Sequence, residues 1–115
     1  DYFSLILCNP PYERGGFENA DPAKAICRKE LTITLQEIAA AAYRKLKFGG
    51  RFALTNRADR LAEVLYTLKN SGIEPKRVQF VRGTPRAKPY LVLVEGTKGR
   101  RAGTEILEVA VNVEN

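Results

Sequence analysis

Three residue types are missing from this 115-residue chain: it has no histidine, no methionine and no tryptophan. The lack of histidine excludes Ser-His and Cys-His catalytic pairs and every histidine-based metal site. Two cysteines, Cys8 and Cys27, are too few for a zinc cluster or a disulfide-rich scaffold. No apolar run approaches the roughly 18–20 residues that cross a bilayer. We therefore predict a cytoplasmic protein with reduced thiols, no metal site and no membrane contact.

The composition is typical of a folded globular protein. The chain is 44% hydrophobic and 28% charged, and its 115 residues suit one domain at most. It starts at Asp1 rather than at a methionine, and apolar residues begin immediately at Tyr2. We therefore expect a piece of a longer protein.

Positive charge is concentrated in one segment of the chain. The whole chain carries +6, whereas Lys76 to Arg101 contains eight basic residues and one acidic residue, a net charge of +7. Such a segment favours a polyanionic partner, for example a nucleic acid. On charge alone, a solvated surface rich in lysine and arginine is an equally good interpretation.

Hydrophobic patterning predicts strands that alternate with helices. The apolar run from Tyr2 to Cys8 stops abruptly at Asn9-Pro10-Pro11, which indicates a buried strand, parallel or central in its sheet. The later elements, in chain order, are a loop over 13–22, a helix over 28–47 ended by Gly49-Gly50, a strand over 51–55, a helix over 58–71, strands over 78–82 and 90–95, and a strand-like stretch over 105–113.

This order predicts an α/β fold. Crossover helices argue for a mostly parallel sheet covered on both faces, and the short connection between 78–82 and 90–95 argues for an antiparallel hairpin at one edge. Parallel sheets bind ligands at the carboxyl ends of their strands. Residues 9–12 are therefore expected at the edge of a site.

Asn9-Pro10-Pro11-Tyr12 is the most specific motif in the chain. The two prolines fix the backbone and leave carbonyl groups without competing N–H donors. The Asn9 side chain adds a second carbonyl acceptor, so that one amino group can be held by two oxygens. Tyr12 offers a flat ring on which a planar base can stack. A simple strand-ending turn is the alternative interpretation, with Tyr12 as a packing residue.

The motif and the order of elements resemble S-adenosylmethionine-dependent amino-group methyltransferases of the Asn-Pro-Pro-Tyr class. Within that class, residues 5–12 and the basic segment are most similar to bacterial enzymes that methylate adenine N6 in valine tRNA. The resemblance implies the carboxyl-terminal half of a Rossmann-like methyltransferase fold over 1–115. The glycine-rich loop and the acidic residue that bind the methyl donor in this family are not found in the sequence. The amino-terminal, cofactor-binding half is thus expected to be absent, and this piece alone is expected to be inactive.

The resemblance also implies site residues. Asn9, Pro10, Pro11 and Tyr12 would be catalytic, with Asn9 also contacting S-adenosylmethionine and Phe17 a weaker candidate for the second face of the base. RNA, expected to be tRNA, would contact basic residues near loops, where phosphates can approach a rigid sheet. These predicted RNA contacts are Arg82, Arg86, Lys88, Lys98, Arg100 and Arg101.

Three other functions stay open on the sequence. The same motif serves methyltransferases that act on a glutamine side chain of release factors and on guanine N2 of ribosomal RNA. A basic RNA-binding module without catalysis is the third. A half-domain would also leave a sheet edge and an apolar face uncovered, which favours self-association.

Overall fold

Six strands and two helices make up the described part of the chain, which is residues 2–9 and 34–112 of the computed structural model. Strands β1 to β6 are Phe3–Cys8, Leu46–Arg57, Ile73–Arg82, Leu91–Lys98, Glu105–Ile106 and Ala110–Val111. Helices α1 and α2 are Leu35–Lys45 and Leu61–Asn70, and a 3₁₀ turn over Ala58–Arg60 leads into α2. The predicted loop over 13–22, Cys27 and the first part of the predicted helix lie outside the described residues. In the part that is described, neither helix has the length and apolar character needed to cross a membrane.

The strands form one mixed sheet in the order β1-β2-β4-β3-β5, with β6 also on β3. Strand β1 is parallel to β2, β4 is antiparallel to both β2 and β3, and the short β5 and β6 run parallel to β3. Only β4 therefore opposes the common direction, which confirms the predicted α/β sheet and its antiparallel hairpin. The second strand of this hairpin, β4, is inserted between β2 and β3, so β3 is not the direct neighbour of β2. We call the edge at which β1, β2 and β3 end the carboxyl edge.

Both helices pack on the same face of this sheet. Their buried side chains meet those of β2, β3 and β4 in one hydrophobic core, which consists of Leu35, Ala39, Ala42, Leu46, Phe52, Leu54, Val64, Leu68, Ile73, Val78, Val92 and Val94. Right-handed crossovers that step in one direction along a sheet keep their helices on one side of it. The prediction of a sheet covered on both faces is therefore wrong for the described residues.

Strand β1 lies at the end of the described sheet, and this corrects its predicted burial. Its parallel pairing with β2 is confirmed. Phe3 and Leu7, however, are 54% and 73% exposed, and only Ile6 and Cys8 of this strand pack against the core. A strand with one neighbour buries little of its apolar surface, whichever residues it carries.

Helix α1 ends earlier than the sequence predicts. It begins after Thr34, whose side-chain oxygen accepts from Glu37 N while the Glu37 carboxylate accepts from Thr34 N, and it ends at Lys45 rather than at Gly49-Gly50. Leu46 already belongs to β2 and is fully buried. The spacing that placed Leu46 on the helix face thus reflects burial in the core and not helical conformation.

The end of α1 is fixed by Lys98, which is only 7% exposed. Its ammonium group donates to the Tyr43 and Leu46 carbonyl oxygens, both at 2.8 Å. It also lies 4.2 Å from the centroid of the Tyr43 ring and 4.8 Å from that of Phe48. A cation at a helix carboxyl terminus satisfies carbonyl groups that have no partner in the helix. Lys98 therefore joins α1 to the far end of β4.

We expect Lys98→Met to lower the free energy of unfolding of this chain by about 2 kcal/mol, because two carbonyl groups lose a charged donor. Lys88→Met at an exposed loop position is the matched control and should change it by less than about 0.5 kcal/mol. Urea unfolding followed by circular dichroism measures both values. Equal midpoints for the two variants would show that Lys98 does not stabilise the helix end.

Candidate active site

Asn9 stands at the carboxyl end of β1, where the fold brings it beside β2. The parallel register pairs Leu7 with Ala53 and Cys8 with Leu54. Because side chains alternate along a strand, Leu7 and Asn9 point to the face without helices, as do Ala53 and Thr55 of β2. The sheet itself thus positions the first residue of the predicted motif at its carboxyl edge. Asn9 is exposed there.

The Asn9 side chain is held by Thr55. The Thr55 hydroxyl donates a hydrogen bond to Asn9 Oδ1. A carbonyl oxygen has two lone pairs, so this bond leaves one acceptor position on Oδ1. Asn9 Oδ1 can therefore still accept a hydrogen bond from an amino group, while the hydroxyl of Thr55 on β2 holds the amide.

Asn9 and Thr55 lie at one end of an open cleft of about 430 Å³ on the face without helices. Leu7, Ala53 and Leu93 give the cleft an apolar floor. Its other walls include Gln79, whose side-chain amide donates to the Glu108 carbonyl oxygen at 3.0 Å. The cleft thus combines a flat apolar surface with a few polar groups, which is the usual character of a ligand site.

Two acidic groups on this side of the molecule are paired with arginines. Glu95 lies between Arg51 and Arg77, with N···O distances of 3.3 and 3.4 Å. Asp59, which follows β2 at the carboxyl edge, is 2.6 Å from Arg57. Within residues 2–9 and 34–112, no cluster of cysteines and carboxylates that could hold a metal ion is found.

Strand direction separates the predicted RNA contacts into two groups. Arg82 ends β3, and Arg86 and Lys88 follow in the loop over 83–90, so these three lie at the carboxyl edge with Asn9. Arg100 and Arg101 follow the antiparallel β4, and they lie at the opposite edge. Their closeness in sequence therefore does not make one surface.

Two of these basic side chains have structural partners. Arg82 donates to the Pro85 carbonyl oxygen at 2.9 Å and so braces its own loop. Lys98 is buried, and its ammonium group donates hydrogen bonds to carbonyl oxygens at the end of α1, as described above. The prediction that Lys98 contacts RNA is therefore wrong. Arg86 and Lys88 are exposed, and Tyr90 at the end of the same loop is about half exposed.

The predicted site is therefore described only in part. Pro10, Pro11, Tyr12 and Phe17 lie outside the described residues, and their roles stay predictions. Thr55 was not predicted as a site residue. A parallel pairing of the strands over 2–8 and 51–55 was implied by the predicted topology, but the register that brings Thr55 level with Asn9 depends on the structure.

Comparisons with known proteins support the resemblance noted in the sequence. No protein-family model matches the chain. Curated tRNA1(Val) (adenine(37)-N6)-methyltransferases from two strains of Porphyromonas gingivalis, ATCC 33277 and W83, are each 29% identical to it over 93 residues. These matches cover 81% of this chain and 36% of each relative. The chain thus spans little more than a third of the length of the curated relatives it matches.

Solved structures share the fold. A predicted O-methyltransferase from Agrobacterium tumefaciens superposes with a TM-score of 0.70 and 19% identity, over 95% of this chain and 42% of its own. The M1.HpyAVI–SAM complex superposes with a TM-score of 0.53 and 12% identity, over 84% of this chain and 45% of its own. The predicted fold, part of a methyltransferase fold, is therefore confirmed.

Proposed function

We propose that this chain is the carboxyl-terminal part of an S-adenosylmethionine-dependent methyltransferase that methylates the exocyclic N6 of adenine in RNA, with tRNA as the expected substrate. The observation that carries the proposal is the position of Asn9 at the carboxyl end of a parallel strand, with its amide oxygen held at the rim of an open cleft. The names of the curated relatives support the reaction and the substrate.

The chemistry required by this substrate matches the acceptors that the motif offers. The exocyclic nitrogen is a poor nucleophile because its lone pair is delocalised into the ring. Asn9 Oδ1 would accept a hydrogen bond from one of its N–H groups and the Pro10 carbonyl a hydrogen bond from the other, which draws the nitrogen toward tetrahedral geometry. Neither oxygen is a strong base, so the methylated nitrogen releases its surplus proton to water after the methyl group has been transferred. Tyr12 would stack on the base once it is unstacked from the RNA.

The described residues fit the acceptor side of the reaction better than the donor side. S-adenosylmethionine, when bound, supplies an electrophilic methyl group on its sulfonium. Of the residues predicted to contact it, Asn9 is described, and its amide lies at the correct edge of the sheet. Two of the carboxylates described on this side of the sheet, Glu95 and Asp59, are paired with arginines. We infer that residues elsewhere in the whole protein hold the adenosine part.

RNA is the acceptor class that the surface charge favours. The loop over 83–90 presents Arg86 and Lys88 at the same edge as Asn9, with Tyr90 next to them. Adjacent strands are about 4.8 Å apart, so β3 lies roughly 14 Å across the sheet from β1. Phosphates bound at this loop would therefore lie within a few nucleotides of a base held at Asn9. A glutamine side chain of a release factor has no need for these cations.

Other acceptors are distinguished by direct assay. A labelled methyl donor offered with tRNA, ribosomal RNA or release factor identifies the acceptor for the whole protein. Methylation of adenine N6 in tRNA supports the proposal. Labelling of guanine N2 or of a glutamine side chain would replace it, and RNA binding without any labelling would favour the third alternative, a basic RNA-binding module without catalysis. Self-association stays a prediction, which the exposed side chains of β1 make worth measuring in the same preparations.

Asn9→Ala should reduce methylation by about 100-fold or more, since preorganised polar groups at the reacting atoms supply rate effects of this order. RNA affinity should stay within about twofold of the unmodified protein. Asn70→Ala, at an exposed position where α2 ends, is the matched control and should methylate normally. Methyl incorporation at saturating RNA measures both variants. Full activity of Asn9→Ala would remove the amide from the mechanism.

The two basic pairs give a test of the interface. Replacing Arg86 and Lys88 together by Ala should reduce the slope of log affinity against log salt by about 1.4–1.8, because each phosphate contact contributes about 0.7–0.9. Replacing Arg100 and Arg101 together removes the same charge at the opposite edge and should leave the slope unchanged. Fluorescence titration of RNA at several salt concentrations measures this. A loss confined to the Arg100 and Arg101 variant would move the interface to the other edge.

The 115-residue chain alone should bind S-adenosylmethionine weakly and show no turnover, because the glycine-rich loop and the acidic residue that bind the methyl donor in the family it resembles are not found in its sequence. Isothermal titration calorimetry of the isolated chain measures the affinity. Micromolar binding accompanied by methylation would show that the chain already contains the donor site.

A further inference from the structure

We propose that Thr55 is a positioning residue for Asn9, and that it fixes the amide in the orientation that accepts the substrate amino group. The proposal rests on the methyl transfer proposed above, and it concerns a residue outside the motif. Its basis is the hydrogen bond from the Thr55 hydroxyl to Asn9 Oδ1, which links the end of β1 to the middle of the sheet.

The Asn9 side chain needs a hydrogen-bond partner to hold its orientation, because it lies at an exposed position at the end of the sheet. It is exposed, it follows the last residue of β1, and β1 has a single neighbour in the described sheet. An asparagine side chain has three χ1 wells and a broad χ2, so without a partner its oxygen would sample many directions. Strand pairing alone therefore places Asn9 but does not orient its amide.

Thr55 is well placed to supply that orientation. Its strand, β2, is paired on both sides, with β1 in parallel and with β4 in antiparallel, and Thr55 lies opposite Leu93 in that second pairing. Threonine is branched at Cβ, which restricts its χ1 angle, so its hydroxyl is a rigid donor. The hydroxyl uses one lone pair of Asn9 Oδ1 and leaves the other for the substrate. Thr55 thus acts through Asn9, without contact with the reacting atoms.

The test compares Thr55→Val with Thr55→Ser in the whole protein. Valine keeps the branched shape and removes the donor, so kcat should fall about tenfold while KM for RNA changes less than about twofold. Serine keeps the donor and should restore at least half of kcat. Thr104→Val is the matched control: it also removes a threonine hydroxyl bond, to the Pro75 carbonyl oxygen at 2.7 Å, but at the opposite edge, and it should keep full activity.

A double-mutant cycle and a spectrum complete the design. Thr55→Val should cause no further loss in an Asn9→Ala background, because its effect passes through Asn9. In a ¹⁵N-correlated NMR spectrum, the Asn9 side-chain amide signals should shift in Thr55→Val and return in Thr55→Ser. Thermal unfolding confirms that each variant is folded.

The outcomes separate this inference from the proposed function. If the unmodified protein methylates RNA and Thr55→Val retains its kcat, the positioning role is wrong while the function stands. The same holds if serine fails to rescue, or if the two losses simply add. If the unmodified protein methylates no amino group at all, the function is wrong and the positioning role falls with it.

Discussion

The parallel register between β1 and β2 is the constraint on which the site depends. Pairing of Cys8 with Leu54 fixes which side chains share a face, and a slip of one residue would turn Asn9 toward the helices. In the observed register, the even-numbered residues over 50–56 of β2 are buried, whereas Ala53 and Thr55 line the cleft. The contact between Thr55 and Asn9 is therefore a consequence of how Phe52 and Leu54 are buried.

The elements that could be predicted are those with local signals. The apolar strand before Asn9, the amphipathic α2 and the antiparallel hairpin all follow from patterns within about fifteen residues. The end of α1 could not be predicted in this way, because Leu46 fits the helical spacing as well as it fits a buried strand. It is decided by Lys98, whose ammonium group reaches the end of the helix from β4, more than fifty residues later in the sequence.

The charge pattern shows the same limit for the site. Basic residues from Arg82 to Arg101 form one cluster in the sequence, but β4 runs through the middle of it. Eight residues of strand span about 27 Å, so the loops before and after β4 lie at opposite edges of the sheet. A basic segment that contains a complete strand therefore cannot be treated as one patch. The basic residues before β4 lie at the same edge as Asn9, whereas those after β4 lie at the opposite edge.

In the proposed function, the contacts to the methyl acceptor and those to the methyl donor lie in different parts of the chain. The described carboxyl edge offers an oriented amide oxygen and exposed cations, which suit an amino group and phosphates. Asp59 at this edge and Glu95 in the middle of β4 are each paired with arginine. In the proposed function, a sulfonium methyl donor and a polyanionic acceptor make opposite electrostatic demands, and contacts on separate parts of the chain would keep the donor's carboxylates away from RNA phosphates.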